Sequence, residues 1–388
     1  MSKCILPWIH LEATSTGEVK PCCVYKTPIQ IDNKDATLEE HRLTDVWNSD
    51  YLNNLRRQFL KGEKPEGCSA CWEQESVGKT SKRMTSLEKF STHLDKFNKD
   101  LEYPVYLDLK LGTVCNLKCR SCSTFSSFKW AEDEKKVYGH TFNDKLRSYW
   151  IDDSSNFWTD IEEMLPYVEH FDFTGGEPFL IKKHFDILKK CIERGYAKNI
   201  TIHYNTNGTV HTTDKMFEIW KEFKNVEIMF SADGVGEKFE YLRNPGKWHD
   251  FVNIFESTLK KENIYVNVCY SVSVFNVMYM YDFVRWFSKY NLPEHRLYFN
   301  IIWQPDYLSI RNLSTQSKQK IKEYLNNNQT KNKKLNNSVN QIIGLMFTTG
   351  ENLEENFLEI TNRLDKIRNE DFAKTFKELY EILEKNLT

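Results

Sequence analysis

Between residues 104 and 304 six short apolar runs alternate with longer helical segments. The runs are VYLDLKL, HFDFTG, NITIHYNTNG, VEIMFSADG, IYVNVCYSVS and LYFNIIW. Segments such as HFDILKKCIERG, TDKMFEIWKEF and MYMYDFVRWFSKY lie between them. A strand followed by such a helix returns to its sheet as a parallel neighbour, through a right-handed crossover. The rhythm therefore predicts an α/β fold built of βα units around a parallel sheet. Six units are too few to close an eight-fold barrel, so a partial barrel or an open sheet fits.

Three further zones flank this core. Residues 1–85 carry five cysteines, turn residues such as STGEVKPCC, and one helical stretch. In that stretch, LTDVWNSDYLNNLRRQFLKG, Val46, Leu52, Leu55 and Phe59 recur at near-helical spacing. A charged connector occupies 86–103, the core is expected to run over 104–309, and 310–388 reads as a helical extension. Within the extension KQKIKEYL, LEENFLEITNRLDKIR and FAKTFKELYEILEK are amphipathic, and NNNQTKNKKLNNS reads as a mobile surface loop. There is no internal repeat.

A net charge of −2 excludes a global basic field that would recruit nucleic acid. No apolar run approaches the roughly 20 residues of a membrane helix. The start, MSKCILPWIHLEATS, lacks the apolar stretch of a signal peptide, so a cytoplasmic protein is expected. Ten cysteines in that setting point to metal rather than to a disulfide framework.

GTVCNLKCRSC crowds Cys115, Cys119 and Cys122 into the loop after the first strand. Ligands of parallel βα folds gather beyond the carboxyl ends of the strands, where this loop lies. Three thiolates there can hold three irons of a cubic four-iron cluster and leave the fourth open to an external ligand. A structural zinc would want a fourth Cys or His nearby, and the next candidate is His140. Crowding of buried thiols without metal is the remaining alternative.

The Cx3Cx2C loop after a first strand, followed by GGEP at 175–178, resembles the radical S-adenosylmethionine (SAM) superfamily. The resemblance covers about 104–304 and implies a partial (β/α)6 barrel. It also implies a SAM-binding [4Fe-4S] cluster, and an enzyme that cleaves SAM to a 5′-deoxyadenosyl radical which abstracts hydrogen from a substrate. By the same resemblance Gly175, Gly176, Glu177 and Pro178 line the amino group of SAM, with Glu177 facing its positive charge. YNTNG brings Asn205 and Asn207 near the cofactor, FSADG offers Ser231 and Asp233 to the ribose, and Arg243 in YLRNP pairs with the carboxylate. Ser271 and Asn276, around the fifth strand, are further candidates. Each of these polar residues also has a bland reading as a solvated turn or a surface ion pair. One departure stands out: the aromatic that precedes the third cysteine in many members is Ser121 here, leaving Phe125 as a candidate for adenine.

Cys4, Gly17, Cys22 and then Cys68 and Cys71 form C-x12-G-x4-C … C-x2-C, four thiolates that suffice to close a metal site. This resembles the auxiliary-cluster module called SPASM, or its shortened form twitch, and implies one auxiliary iron–sulfur cluster. Here the module precedes the barrel. A zinc knot fits four cysteines equally well by count. Cys23 is a spare beside Cys22: either could be the ligand, the spacing from Gly17 favouring Cys22, or Cys23 is simply buried; Cys191 and Cys269 read as core residues. Similar two-cluster enzymes modify peptides or proteins, so a peptide or protein side chain is the expected substrate, with a flavodoxin or ferredoxin as reductant. The alternatives are a small metabolite or nucleoside substrate, an RNA-modifying enzyme using the Lys-rich stretch 318–334, and a zinc-binding scaffold.

Overall fold

A computed structural model describes residues 3–98, 102–144 and 150–385. Two strands open the chain, β1 (His10–Ala13) and β2 (Val19–Lys20). After a separate small hairpin, Gln30–Ile31 with Lys34–Asp35, the six expected strands follow as β3 (Tyr106–Lys110), β4 (His170–Thr174), β5 (Thr201–Thr206), β6 (Asn225–Ser231), β7 (Ile264–Val272) and β8 (Leu297–Ile301). One sheet holds all of these in the order β8-β7-β6-β5-β4-β3-β1-β2, and β3 to β8 are parallel throughout. This is the predicted α/β architecture.

Alternation along each strand sorts the side chains between two faces. Leu107, Leu109, Phe171, Phe173, Ile202, Val226, Ile228 and Val268 enter the main apolar core. The opposite, inner face is polar, and register aligns its residues across strands. Glu12, Asp108, Asp172, His203 and Glu227 stand side by side in one row. A buried carboxylate is tolerated only with partners, and the inner face supplies them. Lys110 reaches Glu12, the Tyr106 hydroxyl donates to Asp172, and His170 Nε2 lies 2.8 Å from Asp172. Helix Lys82–Lys89, capped by Ser81, adds Lys89 at 3.2 Å from Glu227.

The first strand was not foreseen. β1 pairs in parallel with β3, with Glu12 beside Asp108, and β2 turns back antiparallel. The cysteine-rich N-terminal region thus extends the barrel sheet itself. The foreseen helical stretch forms two helices, Leu43–Trp47 and Asp50–Leu60, which bury Val46, Leu52, Leu55 and Phe59.

The C-terminal helices include Thr315–Asn327, Lys333–Met346 and Glu354–Arg368. The loop expected across NNNQTKNKKLNNS is shorter than its composition suggests. Asn332 caps a helix whose Leu335, Val339, Ile342 and Met346 are buried at helical spacing. Glu354–Arg368 grips the three-cysteine loop. Arg120, only 2% exposed, pairs with Asp365 and, at 2.5 Å, with Glu370. Asp365 also accepts from the Tyr241 hydroxyl at 2.7 Å and from the Phe372 amide at 2.6 Å.

Removing a partner from a buried ion pair leaves an uncompensated charge and costs about 3–5 kcal/mol. Asp365→Ala should lower unfolding stability by that order in urea titration, and Asp365→Asn, which keeps an acceptor, by less. Equal stability of Asp365→Ala and the parent would refute the role of this contact.

Candidate functional site

β3 delivers the cysteine loop to the carboxyl end of the sheet, where backbone contacts from three directions fix it. The amides of Lys118 and Arg120 donate to the carbonyls of Asn244 and Leu242, both at 2.7 Å. Trp130 Nε1 donates to the Cys119 carbonyl at 2.9 Å, and Ser127 Oγ to the Leu117 carbonyl at 2.6 Å. The Glu177 amide donates to the Val114 carbonyl at 2.8 Å. That approach needs glycine: a Cβ on Gly176 (φ +54°) would lie 2.5 Å from the Val114 oxygen, and one on Gly175 (φ +69°) 2.7 Å from Lys110 Cβ and Ser15 Oγ.

Cys115, Cys119 and Cys122 are free thiols close enough to act electrostatically on one another. Burial pushes the Cys115 thiol up to about 12, with Cys119 adding to the shift. A metal that replaces the thiol protons removes this desolvation burden. Two nitrogen donors point toward the sulfurs, Asn207 Nδ2 at 3.8 Å from Cys115 and Arg243 Nη1 at 3.9 Å from Cys119.

The other candidates divide into two groups. Arg243 and Asp233 form a buried pair at 2.8 Å. Arg243 Nε is buried without a partner, an unmet donor beside the cysteine loop. Asp233 also accepts from the Ser271 amide at 2.9 Å, and its carbonyl accepts from Asn276 Nδ2 at 2.9 Å. Ser231 is partly exposed at the end of β6, and Asn205 is exposed on the inner face beside His203. Glu177 and Asn207 make contacts within the scaffold. The wholly buried Glu177 carboxylate accepts from Thr206 Oγ1 and the Asn207 amide, each at 2.8 Å, and so ties the GGEP turn to the YNTNG turn. Burial raises its pKa to about 7, against the pull of those donors. Asn207 Nδ2 donates to Asn116 Oδ1 at 2.8 Å. Pro178 is buried at the start of a short helix, and Phe125 is 51% exposed.

The second thiol group lies at the other end of the sheet. Cys4 precedes β1 through helix Leu6–Ile9, and Cys22 comes after β2, which runs back toward that end. Cys68 and Cys71 straddle the start of helix Ser69–Ser76. Together Cys4, Cys22, Cys68 and Cys71 line one cavity with Tyr25, Lys82 and Arg83 among its walls. The turn before Cys68 depends on glycine, because a Cβ on Gly67 would fall 2.3 Å from the Tyr25 ring. Four thiols that rim a space fit a cluster's donor set. Among the described residues no three His, Cys, Asp or Glu side chains close on a point suited to one metal ion.

Cys23 turns the other way. Its thiol faces Lys82, Glu12, Asp108 and Lys110 on the inner face of the sheet. Cys269 also lies on that face, near Ser271, Asp233 and Arg243, whereas Cys191 is fully buried in core. Sequence reasoning missed Ser15, Lys82 and Arg120. The polar positions of YLDLK and HFDFT, alternating with buried apolar ones, were the signal for the charged inner face.

A model of the radical SAM superfamily matches residues 109–281, and a model of an iron–sulfur cluster-binding domain, SPASM, matches residues 4–72. No curated protein matches. Solved structures with some likeness include anSMEcpe with bound AdoMet, at 19% identity over 58% of this chain and 59% of that one, with a TM-score of 0.40. Another is Streptococcus suis SuiB bound to S-adenosylmethionine, at 13% identity over 77% and 62%, with a TM-score of 0.36. The chain thus spans 59% of the length of the first of these. The two family matches imply SAM and its [4Fe-4S] cluster for the barrel and auxiliary iron–sulfur chemistry for the N-terminal region. Residues 109–281 thus form a radical SAM superfamily domain, and residues 4–72, ahead of it in the chain, a SPASM iron–sulfur cluster-binding domain.

Proposed function

We propose that Cys115, Cys119 and Cys122 hold the SAM-binding [4Fe-4S] cluster and that Cys4, Cys22, Cys68 and Cys71 hold one auxiliary cluster. The substrate, a peptide or protein side chain, reacts in the lumen between them. The observation that carries this reading is topological: the two thiol groups sit at opposite ends of one polar sheet face. When bound, the cluster and SAM supply a 5′-deoxyadenosyl radical that takes a hydrogen atom from the substrate.

The chain's own residues bind, orient and exclude water. Arg243, held by Asp233 and carrying a free Nε, pairs with the SAM carboxylate. The backbone of Gly175 and Gly176 borders the cofactor, while Glu177 keeps two loops in register. Ser231 serves the ribose, and Asn205 reaches the lumen from β5. Cys22 rather than Cys23 completes the auxiliary set, since Cys22 lines the cavity and Cys23 faces the lumen. A flavodoxin or ferredoxin supplies the electron.

The ligand sets predict about eight irons per chain after anaerobic reconstitution. Replacing Cys115, Cys119 and Cys122 together by Ala should remove about half of the iron and all 5′-deoxyadenosine formation. Replacing Cys68 and Cys71 should remove the other half and leave uncoupled SAM cleavage. Full iron retention in this second variant would end the auxiliary assignment.

Losing a hydrogen bond to a charged group costs about 1.5–3 kcal/mol. Arg243→Lys should therefore weaken SAM binding about 10- to 100-fold in equilibrium dialysis, at unchanged iron content. Unaltered affinity would remove Arg243 from the cofactor site.

A further inference from the structure

We infer that the lumen wall nearest the auxiliary site carries a carboxylate-binding subsite centred on Lys79, which takes a carboxylate of the substrate. The inference rests on the reading of the lumen as the substrate's place. Lys79 lies just past helix Ser69–Ser76, its amide donating to the Gln74 carbonyl at 3.0 Å. The residue is 7% exposed, and its Nζ sits 5.0 Å from the Tyr298 ring centroid. Its electrostatic neighbours are Cys269, on the inner face of β7, and Cys71.

Among the described residues, the other lysines that reach the inner face have acidic neighbours there. Lys110 has Glu12 and Asp108, Lys89 has Glu227, and Lys82 faces Asp108 and Asp172. Among the described residues, Lys79 has no carboxylate within ion-pair distance. A buried ammonium without a counter-charge is costly, and burial lowers the Lys79 pKa to about 8. The cost falls when an anion enters beside it. Tyr298 gives that anion an aromatic wall: it alternates with the buried Leu297 and Phe299 on β8 and is itself 37% exposed. Ammonium, ring and the Cys269 thiol together suit a carboxylate on a short apolar stem.

Both a side-chain and a chain-terminal carboxylate have this chemistry, and three probe peptides separate them. The reconstituted full chain with SAM is treated with N-hydroxysuccinimidyl acetate at pH 8, and Lys79 acetylation is followed by mass spectrometry. The probes, at millimolar concentration, are acetyl-Ala-Glu-Ala-amide, acetyl-Ala-Gln-Ala with a free terminal carboxylate, and acetyl-Ala-Gln-Ala-amide. At least one carboxylate peptide should slow acetylation of Lys79 about 5-fold, as occupancy at a few times its dissociation constant requires. The neutral peptide should not, and labelling of the exposed Lys221 should stay constant. Equal protection by the neutral peptide overturns the subsite, as does protection by none. In the latter case, a shift of the auxiliary cluster's midpoint potential in Lys79→Gln would identify Lys79 as the counter-ion of that cluster instead. Formation of 5′-deoxyadenosine in an unacetylated portion of the same preparation, reduced with dithionite, separates the two failures. If it forms, only the subsite falls; if it does not, the radical SAM reading falls.

Discussion

The parallel pairing of His10–Ala13 with Tyr106–Lys110 sets the layout of everything else. Because the two strands run the same way, residues just before the first strand lie at one end of the sheet and residues just after the second lie at the other. Cys4 comes before one strand and Cys115 after its neighbour. Four backbone-paired residues thus hold two thiol groups apart across a common face. The short turn between β1 and β2 adds a cross-connection, since Ser15 lies against Gly175 of the GGEP turn. An N-terminal position for the auxiliary domain is therefore no obstacle to its facing the barrel interior.

The three-cysteine loop has little internal structure, and its shape is imposed from outside. The 242–244 segment receives two of its amides, the GGEP turn and the Trp130 indole contact its carbonyls, and Arg120 draws it toward the C-terminal helix. Arg120 is the residue directly after Cys119, so movement of helix Glu354–Arg368 would be felt at a candidate ligand. Arg368 strengthens the same junction through Asp133 at 2.8 Å. The extension thus acts as a brace for the cofactor loop, which accounts for buried charge in a segment otherwise rich in Lys, Asn and Glu.

Local pattern made part of this legible in the sequence. The six barrel strands were readable because their apolar positions alternate, and the cysteine loop because its spacing is specific. β1 was not, since HLEA is four residues long and shows no alternation that stands out from its surroundings. Only its pairing with a strand ninety-odd positions away makes it a strand. Glu177 illustrates a second limit. Its motif was visible, but whether its carboxylate meets a ligand or a loop depends on Thr206 and Asn207, which chain topology alone brings to it. The Asn- and Lys-rich stretch near 330 hid a helix start because Asn332 is a good cap as well as a good loop residue.

Register also divides the lumen into unlike halves. Strands β1, β3 and β4 contribute Glu12, Asp108, Lys110, His170 and Asp172, and the 82–89 helix supplies cations that lock them together. At its margin burial opposes ionisation of Glu227, yet His203 and Lys89 bring its pKa down to about 2. Such a network is satisfied without a ligand and resists rearrangement. Beyond His203 and Glu227, the inner positions on β5 to β8 include Asn205, Met229, Asn267, Cys269, Tyr298 and Asn300, uncharged and more open. A substrate that entered the charged half would have to break paired ions, whereas the neutral half asks only for displacement of solvent. On the proposed reading of the lumen as the substrate's place, the same physics that keeps four carboxylates folded into a barrel leaves the β5 to β8 wall to the reacting group, where Lys79 is the one buried cation left unmatched among the described residues of the inner face.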